Sequence, residues 1–240
     1  MSDADSAPLP PTEFIASLRE LGATRYHDKH VVHKLMHSGE LTKLQLQQWV
    51  LNRYYYQTRI PIKDALIVSK SSDPAFRRMW LRRIRDQDGD GVGEGGLDLW
   101  LRLAEGVGLS RAEVASFQSV LPGVRFACDA YVDLVRQGSL LEAVASSLTE
   151  FFAPDLMTRR IQAWEQHYPW VDAATLAYFR SRVSRAKRDS EEAVAFVVER
   201  ATSRDLQRQC AAALVKKTEI LWHLLDCVYA AYVARGGPTP

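Results

Sequence analysis

The segment TKLQLQQWVLNRYYYQ, residues 42–57, decides the fold class, because its apolar and aromatic side chains recur at helical rather than alternating spacing. Thr42 is a favoured residue type for capping the start of a helix. One face of this helix, defined by three- and four-residue spacing, contains Trp49, Arg53, Tyr56, Gln57 and Ile60. Pro61 has no N–H to donate to the carbonyl of residue 57, so a kink is expected there.

The segments on both sides of this helix also have helical spacing. Asp73-Pro74 is typical of a helix start, and Gly39 of a helix end. The remaining predicted helices cover residues 14–22, 28–37, 74–85, 96–108, 110–118, 124–137, 139–164 (bent at Pro154), 173–202 and 203–235. No segment reads as a β-hairpin. We therefore predict an all-α fold, a compact bundle of about seven main helices without a sheet.

The predicted domain organisation is a single helical domain over residues 12–235. A chain of 240 residues can build one substantial core, and no linker divides it. The Pro, Ser and Asp content of residues 1–11 predicts a disordered lead-in without the features of a secretory signal. Residues 236–240 are expected to form a flexible tail.

The composition is that of an ordinary globular protein, with 47% hydrophobic and 25% charged residues. The net charge of +2 gives no electrostatic reason to expect nucleic acid or an anionic membrane as partner. No apolar run reaches the roughly 20 residues that cross a bilayer. Cys128, Cys210 and Cys227 lack C-x-x-C spacing, so we expect reduced thiols in a cytoplasmic protein.

The stretch IRDQDGDGVGEGGLDLW, residues 84–100, resembles two ligand-binding loops. As a calcium loop starting at Asp86 it would need a bidentate Glu at its twelfth position, which is Leu97. As a dinucleotide fingerprint it would need a preceding strand, and a helix precedes it. The stretch is therefore interpreted as a helix-to-helix connection.

Charged side chains interrupt several of the apolar helix faces. Lys217 lies in the middle of the apolar stripe of AAALVKKTEILWHLLD, residues 211–226, where it is either buried against an anion or extended to the surface. Comparable interruptions on other helices are Arg53, Arg83, Gln87, Glu150, Arg160, Tyr178 and Arg182. Basic groups and tyrosines on separate helices of one bundle predict a shared polar cavity. Forked Arg donors suit a small, ring-shaped ligand rich in carboxylates, with phosphates left open.

The histidines His27, His30, His33 and His37 are clustered in one segment. No carboxylates with the spacing of a di-iron site accompany them, so a structural metal is not predicted and surface histidines are the default. Haem ligation by one of them stays open, although no feature singles one out.

Eight segments together resemble the pyrroloquinoline-quinone (PQQ) synthase family, in the heme oxygenase-like or TenA-like superfamily. They are RYHDKHVVHKLMHSGEL, WVLNRYYYQTRIPIKDA, RRIRDQDGDGVGEGGLDLWLRLAEGVGL, LPGVRFACDAYV, SSLTEFFAP, QHYPWVD, YFRSRVSRAKRD and KKTEILWHLLD. The resemblance covers about residues 13–233 in the same order. It implies a homodimeric helical bundle that closes a ring in a tricarboxylated quinone precursor and oxidises it. Dioxygen would be the oxidant and hydrogen peroxide a product, with neither a metal nor an organic cofactor.

The resemblance also implies the residues of the site. Those implied for catalysis are His27, Gln87, Glu150, Tyr178 and Arg182. Those implied for substrate binding are Tyr26, Arg53, Tyr56, Gln57, Lys63, Arg83, Tyr131, Met157, Arg160 and Lys217.

Two of these positions depart from the family's pattern, because the family has histidine where this chain has Gln87 and Met157. A glutamine amide cannot take and return a proton near neutral pH as histidine can. The leading hypothesis is therefore a synthase in which His27 and Tyr178 share the proton transfers. Gln87 and Met157 are expected to reduce its activity. A protein that binds PQQ or its precursor without full turnover, and a haem- or metal-dependent relative of the same fold, are the alternatives. The glycines of the stretch 84–100 and Pro154 further suggest segments that close over a ligand.

Overall fold

The computed structural model describes residues 7–91 and 94–234, which are almost entirely helical and include no strand. The α-helices are α1 (Pro11–Arg25), α2 (Val31–Ser38), α3 (Lys43–Ser69), α4 (Pro74–Asp88), α5 (Gly96–Gly106), α6 (Arg111–Ser116), α7 (Pro122–Gln137), α8 (Leu140–Ser146), α9 (Ala153–His167), α10 (Ala177–Arg200) and α11 (Arg204–Val228). Short 3₁₀ turns cover His27–Lys29, Ser147–Phe152 and Ala173–Leu176, and a π turn over Tyr229–Val233 follows α11. The predicted all-α fold is confirmed.

Several helix ends lie where the sequence signals place them. Thr42 caps α3 in a capping box with Gln45, and the Asp73 side chain accepts a hydrogen bond from the N–H of Ala75 at the start of α4. Gly39 ends α2 in the left-handed conformation at φ 79°, which favours glycine. Helix α3 continues through Pro61 to Ser69.

Other helix ends differ from the prediction. Helix α1 does not end at Gly22 but continues to Arg25. Gly22 instead allows the close approach of the Phe152 ring, since a Cβ there would lie 2.2 Å from Phe152 Cε2. The predicted helix over residues 139–164 is interrupted earlier than Pro154, by the 3₁₀ turn Ser147–Phe152. Pro154 instead lies in the first turn of α9, where its missing N–H costs no hydrogen bond.

Contacts with the bundle begin before residue 12, the predicted start of the domain. The backbone of Leu9 makes two hydrogen bonds with the Gln207 side chain, of 2.8 and 2.9 Å, which fasten this segment to α11. Leu9, within the predicted lead-in, is thus held by the bundle. Residues 1–6 and the predicted tail lie outside the described residues.

The bundle is built around α3, which packs against α4, α5 and α7, while α11 packs against α7 and α8 and α10 against α9. The centre of the core is aromatic, with Trp49, Trp80, Trp100, Trp164 and Phe179 almost fully buried. Close aromatic packing of this kind fixes the relative positions of the helices and hence of the side chains that they direct inward. None of the helices in the described ranges is both long and apolar enough to span a bilayer.

Candidate active site

A cavity of about 50 Å³ lies inside the bundle, next to the aromatic core. It is lined by Tyr26, His27, Arg53, Tyr56, Gln57, Ile60, Trp100, Thr149, Glu150, Ala153, Met157, Arg160, Tyr178, Arg182 and Leu221. Side chains from separate helices meet here, as the interrupted helix faces predict. Small-molecule pockets usually have volumes of about 300–1,000 Å³, so this cavity is tight for any ring-shaped ligand.

Helix α3 supplies one wall of the cavity. Arg53, Tyr56 and Gln57 are three and four residues apart, so they project from the same side of the helix. The Arg53 guanidinium lies over the Tyr56 ring at 4.0 Å from its centroid, and Arg53 makes no ion pair with any carboxylate of the described chain. A cation without a counter-ion at a cavity wall is available to an anionic ligand.

Lys217 lies directly behind this wall and is fully buried. Its Nζ donates a 2.9 Å hydrogen bond to the Tyr56 hydroxyl and lies 3.1 Å from the centroid of the Tyr131 ring. Burial lowers the pKa of Lys217 well below its usual value, and the nearby charges of Arg53 and Lys63 lower it further. The alternative in which this lysine extends to the surface is therefore wrong.

Arg160 is a second buried cation without a carboxylate partner in the described ranges. One of its terminal nitrogens lies 3.2 Å from His33 Nε2, and its guanidinium faces the Trp49 ring at 4.9 Å from the centroid. Burial first, and the charge of Arg53 next, lower the pKa of Arg160 to about 9. Met157 adds a sulfur contact at 4.0 Å.

Three of the four histidines of this region are buried, contrary to the default that they lie at the surface. His27, His30 and His33 are exposed by 3% or less. His27 lines the cavity, and its Nδ1 lies 3.3 Å from Nδ1 of His33. His30 caps α2 and lies 3.0 Å from Asp226, which gives it a structural role.

Arg182 differs from Arg53, Lys217 and Arg160 because its positive charge is paired with carboxylates of the protein. It donates a 2.7 Å hydrogen bond to Glu150, and its second ion pair, with Asp189, measures 3.7 Å. Burial alone would lower the pKa of Arg182, but the charge of Glu150 raises it, as does that of Asp189. Burial would likewise raise the pKa of Asp189, whereas Arg83 and Arg182 hold it below its usual value.

Lys63 and Arg83 are buried but lie outside the cavity lining. Lys63 donates to Asp64 at 2.6 Å, and the same carboxylate accepts the Trp80 indole N–H at 2.7 Å. Arg83 hydrogen-bonds the backbone carbonyl of Asp189 and stacks on Trp80 at 3.8 Å. Both cations thus have partners in the protein and support the site from behind.

Tyr178 connects the cavity to Gln87 at the end of α4. The Tyr178 hydroxyl donates to Gln57 Oε1 at 2.8 Å. Burial raises the pKa of this hydroxyl, although the charges of Arg182 and Arg53 and a side-chain hydrogen bond with Gln87 oppose the rise. Gln87 is buried, and its Oε1 has no hydrogen-bond partner among the described residues. A buried acceptor left unpaired is costly, and this one is held next to the cavity.

The glycines that follow α4 allow a close approach as well as a turn. A Cβ on Gly96 would lie 2.4 Å from Gln87 Oε1, and one on Gly95 would lie 2.3 Å from the carbonyl oxygen of Gln87. Both glycines are buried against the end of α4. This part of the predicted connection is therefore packed onto the helix that it follows, while Val92 and Gly93 lie outside the described residues.

Most of the predicted site residues meet at this cavity. Of that set, those at the lining are Tyr26, His27, Arg53, Tyr56, Gln57, Glu150, Met157, Arg160, Tyr178 and Arg182. The remaining predicted site residues do not line the cavity but lie behind its lining; they are Lys63, Arg83, Gln87, Tyr131 and Lys217. The lining residues that sequence reasoning missed are Ile60, Trp100, Thr149, Ala153 and Leu221. Ile60 shares the α3 face with Tyr56, which was an available signal.

Comparison with known proteins identifies relatives along almost the whole chain. The model of the TENA/THI-4/PQQC family matches residues 15–227. A pyrroloquinoline-quinone synthase of Rhizobium meliloti strain 1021 is 51% identical over 95% of this chain and 89% of its own length. The corresponding protein of Ectopseudomonas mendocina is 49% identical over 94% of this chain and 90% of its own. A bifunctional coenzyme PQQ synthesis protein C/D of Methylorubrum extorquens is 45% identical over 99% of this chain, which matches 64% of that protein.

Solved structures share the fold at low sequence identity. A domain with a heme oxygenase-like fold from Shewanella denitrificans superposes with a TM-score of 0.74 at 13% identity, covering 93% of this chain and 94% of that one. A TenA homologue from Pyrococcus horikoshii superposes with a TM-score of 0.71 at 10% identity, covering 90% of this chain and 98% of that one. The bundle therefore has the heme oxygenase-like fold that the sequence resemblance implies.

Proposed function

The chain belongs to the TENA/THI-4/PQQC family, and from this premise we propose that it catalyses the last step of PQQ formation. The substrate is a tricarboxylated, amino-bearing quinone precursor, which undergoes ring closure and oxidation. In each two-electron oxidation, the precursor gives two electrons and two protons to dioxygen, which forms hydrogen peroxide. The curated relatives at 49–51% identity, named pyrroloquinoline-quinone synthases, support this reaction class.

One observation about the site carries the proposal. Arg53 and Arg160 line the cavity and Lys217 lies directly behind it, all three without a carboxylate partner in the described chain, whereas Lys63, Arg83 and Arg182 have one. Leaving cations unpaired inside a protein costs several kcal/mol each. A ligand with several carboxylates would supply the missing negative charges, and forked Arg donors match carboxylates two at a time. The number and chemistry of the unpaired cations thus suit a tricarboxylate.

Proton handling in the proposed reaction belongs to other groups of the site. Tyr178 and Gln57 are hydrogen-bonded to each other and suit contacts with quinone oxygens. Arg182 is held beside them by its ion pair with Glu150 and keeps its positive charge. Gln87 can donate and accept hydrogen bonds but cannot transfer a proton near neutral pH. His27 and Tyr178 therefore remain as the groups that transfer protons.

We extend the proposal to the protein's surroundings and assembly. The redox partner is dioxygen, and neither a metal nor an organic cofactor takes part. A homodimer is proposed on the strength of the family resemblance alone. A cytoplasmic location is consistent with the three free thiols, of which Cys128 and Cys210 are buried and Cys227 half-buried. A stoichiometric metal or a Soret band in the purified protein would contradict the cofactor-free reaction.

The proposed activity is tested by mixing the protein with the precursor, first without oxygen and then with air. Formation of free PQQ together with peroxide, only in air, is the expected result. Arg160→Gln should weaken binding of PQQ by about 30- to 1,000-fold, equivalent to about 2–4 kcal/mol, since a desolvated carboxylate loses its partner. Arg159→Gln is the matched control, because Arg159 is 53% exposed and pairs with Asp28.

A second function, binding of PQQ or the precursor without full turnover, is favoured by the chemistry of Gln87 and Met157. Neither side chain can exchange protons near neutral pH. In this case a bound intermediate would persist in air without peroxide, while the Arg160 and Arg159 variants would differ in affinity as before. Equal affinities of these two variants would contradict both functions.

A further inference from the structure

Behind the cavity, two buried histidines and an arginine form a continuous line. His27 Nδ1 lies 3.3 Å from His33 Nδ1, and His33 Nε2 lies 3.2 Å from a terminal nitrogen of Arg160. His33 is 1% exposed and does not line the cavity, whereas His27 and Arg160 do. His33 therefore contacts two cavity residues at once.

The hydrogen-bonding capacity of these groups fixes where the protons are. A guanidinium nitrogen can only donate, so His33 Nε2 must accept. A neutral His33 then has its proton on Nδ1, and this proton can only be donated to Nδ1 of His27. His27 in turn has its own proton on Nε2, the nitrogen that makes no hydrogen bond within residues 7–91 and 94–234.

Both rings are neutral in this arrangement. Burial lowers the pKa of His27 well below its usual value, and Arg53, Arg160 and Lys217 lower it further. Burial and Arg160 lower the pKa of His33 in the same way, and the neighbouring His27 and His37 add to the effect. Because neither ring is charged, the tautomer decides what His27 offers to a ligand.

We propose that His33 is a positioning residue, which holds His27 in the Nε2–H tautomer so that His27 meets the ligand as a hydrogen-bond donor. The use of that donor rests on the proposed function: a quinone oxygen that gains negative charge during oxidation would be stabilised by it. In the other tautomer His27 would present a lone pair and repel the same oxygen. The tautomer itself does not depend on which ligand binds.

The direct test is ¹⁵N NMR of the full chain with labelled histidines, at neutral pH and without added ligand. The expected spectrum shows His27 protonated on Nε2 and His33 on Nδ1, with resonances assigned by their loss in His27→Gln and His33→Gln. A proton on Nδ1 of His27, or a charged ring at either position, would overturn the proposal.

Variants of His33 provide a second test. In His33→Gln the amide N–H₂ and carbonyl can replace both contacts, whereas His33→Leu removes both. The leucine variant should lower kcat about 100-fold, the typical effect of losing a donor to a developing negative charge, with little change in KM. The glutamine variant should stay within about tenfold of the wild type, on the same scale. His37→Leu is the matched control, because His37 stacks on His33 at 6.1 Å but does not line the cavity.

Equal losses in the leucine and glutamine variants, or an equal loss in the His37 control, would reduce His33 to a packing residue and overturn the proposal. Should the chain bind PQQ without turning over the precursor, PQQ affinity replaces kcat as the readout, with the same order of variants expected. The proposed oxidation can thus fail while the positioning role stands, and the NMR result separates the two.

Discussion

Lys217 is a single residue in which a requirement of binding opposes the stability of the fold. Its amine is fully buried with no carboxylate partner in the described ranges. Lys216, the preceding residue, is 61% exposed and pairs with Glu219. The same side chain therefore has opposite surroundings at adjacent positions of α11, which provides a matched pair of substitutions.

Lys217→Met should raise stability and abolish tight binding. Replacing a buried amine, which must give up either its hydration or its proton on folding, by an apolar side chain of similar length should stabilise the fold by about 1–4 kcal/mol. The lowered pKa of Lys217 means that the unfolded chain binds a proton that the folded chain does not, so wild-type stability rises with pH towards 10.5. The advantage of the variant should shrink over the same range. Thermal unfolding at pH 7 and pH 9.5, with and without PQQ, measures both effects.

Lys216→Met is the control and should change neither stability nor affinity by more than about 0.5 kcal/mol, as expected for a surface site. A Lys217→Met variant that is less stable than the wild type at pH 7 would mean that the cation–π and hydrogen-bond contacts of Lys217 outweigh its desolvation.

Gln87 is the residue at which the turnover rate is expected to be limited. Its amide lies beside Tyr178 but cannot exchange protons, so Gln87→His should restore a proton donor and acceptor at the same place. We expect PQQ affinity within about threefold of the wild type and turnover faster by about tenfold or more, within the usual range for such groups. Single-turnover spectroscopy with the precursor in air measures the rate. A slower variant would show that position 87 does not serve proton transfer.

At the level of elements, the helix ends could be predicted wherever a side chain caps them. Thr42, Asp73 and Gly39 act locally, so a single sequence contains their signal. The 3₁₀ turn Ser147–Phe152 could not be predicted in this way, because its apolar spacing resembles that of an α-helix. Gly22 was misread as a helix end because the reason for it, the Phe152 ring, lies far away in sequence.

The same distinction applies to the site. Arg53, Arg160 and Lys217 could be predicted because a charge in an apolar stripe is an anomaly that the sequence displays. Trp100 and Leu221 line the cavity but look like ordinary core residues, since an apolar side chain gives no sign of facing a cavity. His33 was expected at the surface by default, and its buried position could not be predicted because histidine is common both in the core and at the surface.

His37 in α2 makes the stability of the fold sensitive to acid. His37 is half-buried, and burial together with Arg160 and Arg159 lowers its pKa to about 4, against the opposing charge of Asp28. A histidine whose pKa is lowered on folding binds its proton in the unfolded chain first, so stability is lost as pH falls from about 6.5 towards 4. His37→Gln should therefore lose less stability than the wild type between pH 7 and pH 5. Urea unfolding at both pH values measures the difference, and parallel losses would contradict the prediction.

Part of the bundle must move for a ligand to enter. A cavity of about 50 Å³ cannot hold a ring-shaped tricarboxylate, and the aromatic core holds α3, α10 and the later half of α9 together. The 3₁₀ turn Ser147–Phe152, which leads into α9, is a part of the wall without regular α-helical hydrogen bonding. We therefore expect this segment to move when a ligand binds.

Such a rearrangement predicts a characteristic binding rate. If opening precedes binding, the observed rate of PQQ binding in stopped-flow fluorescence should level off as PQQ concentration rises, because opening becomes limiting. Hydrogen exchange in residues 147–157 should also change on addition of PQQ, while that of α7 should not. A rate that rises linearly with PQQ at about 10⁶–10⁷ M⁻¹s⁻¹, with unchanged exchange, would show that the cavity admits the ligand without rearrangement.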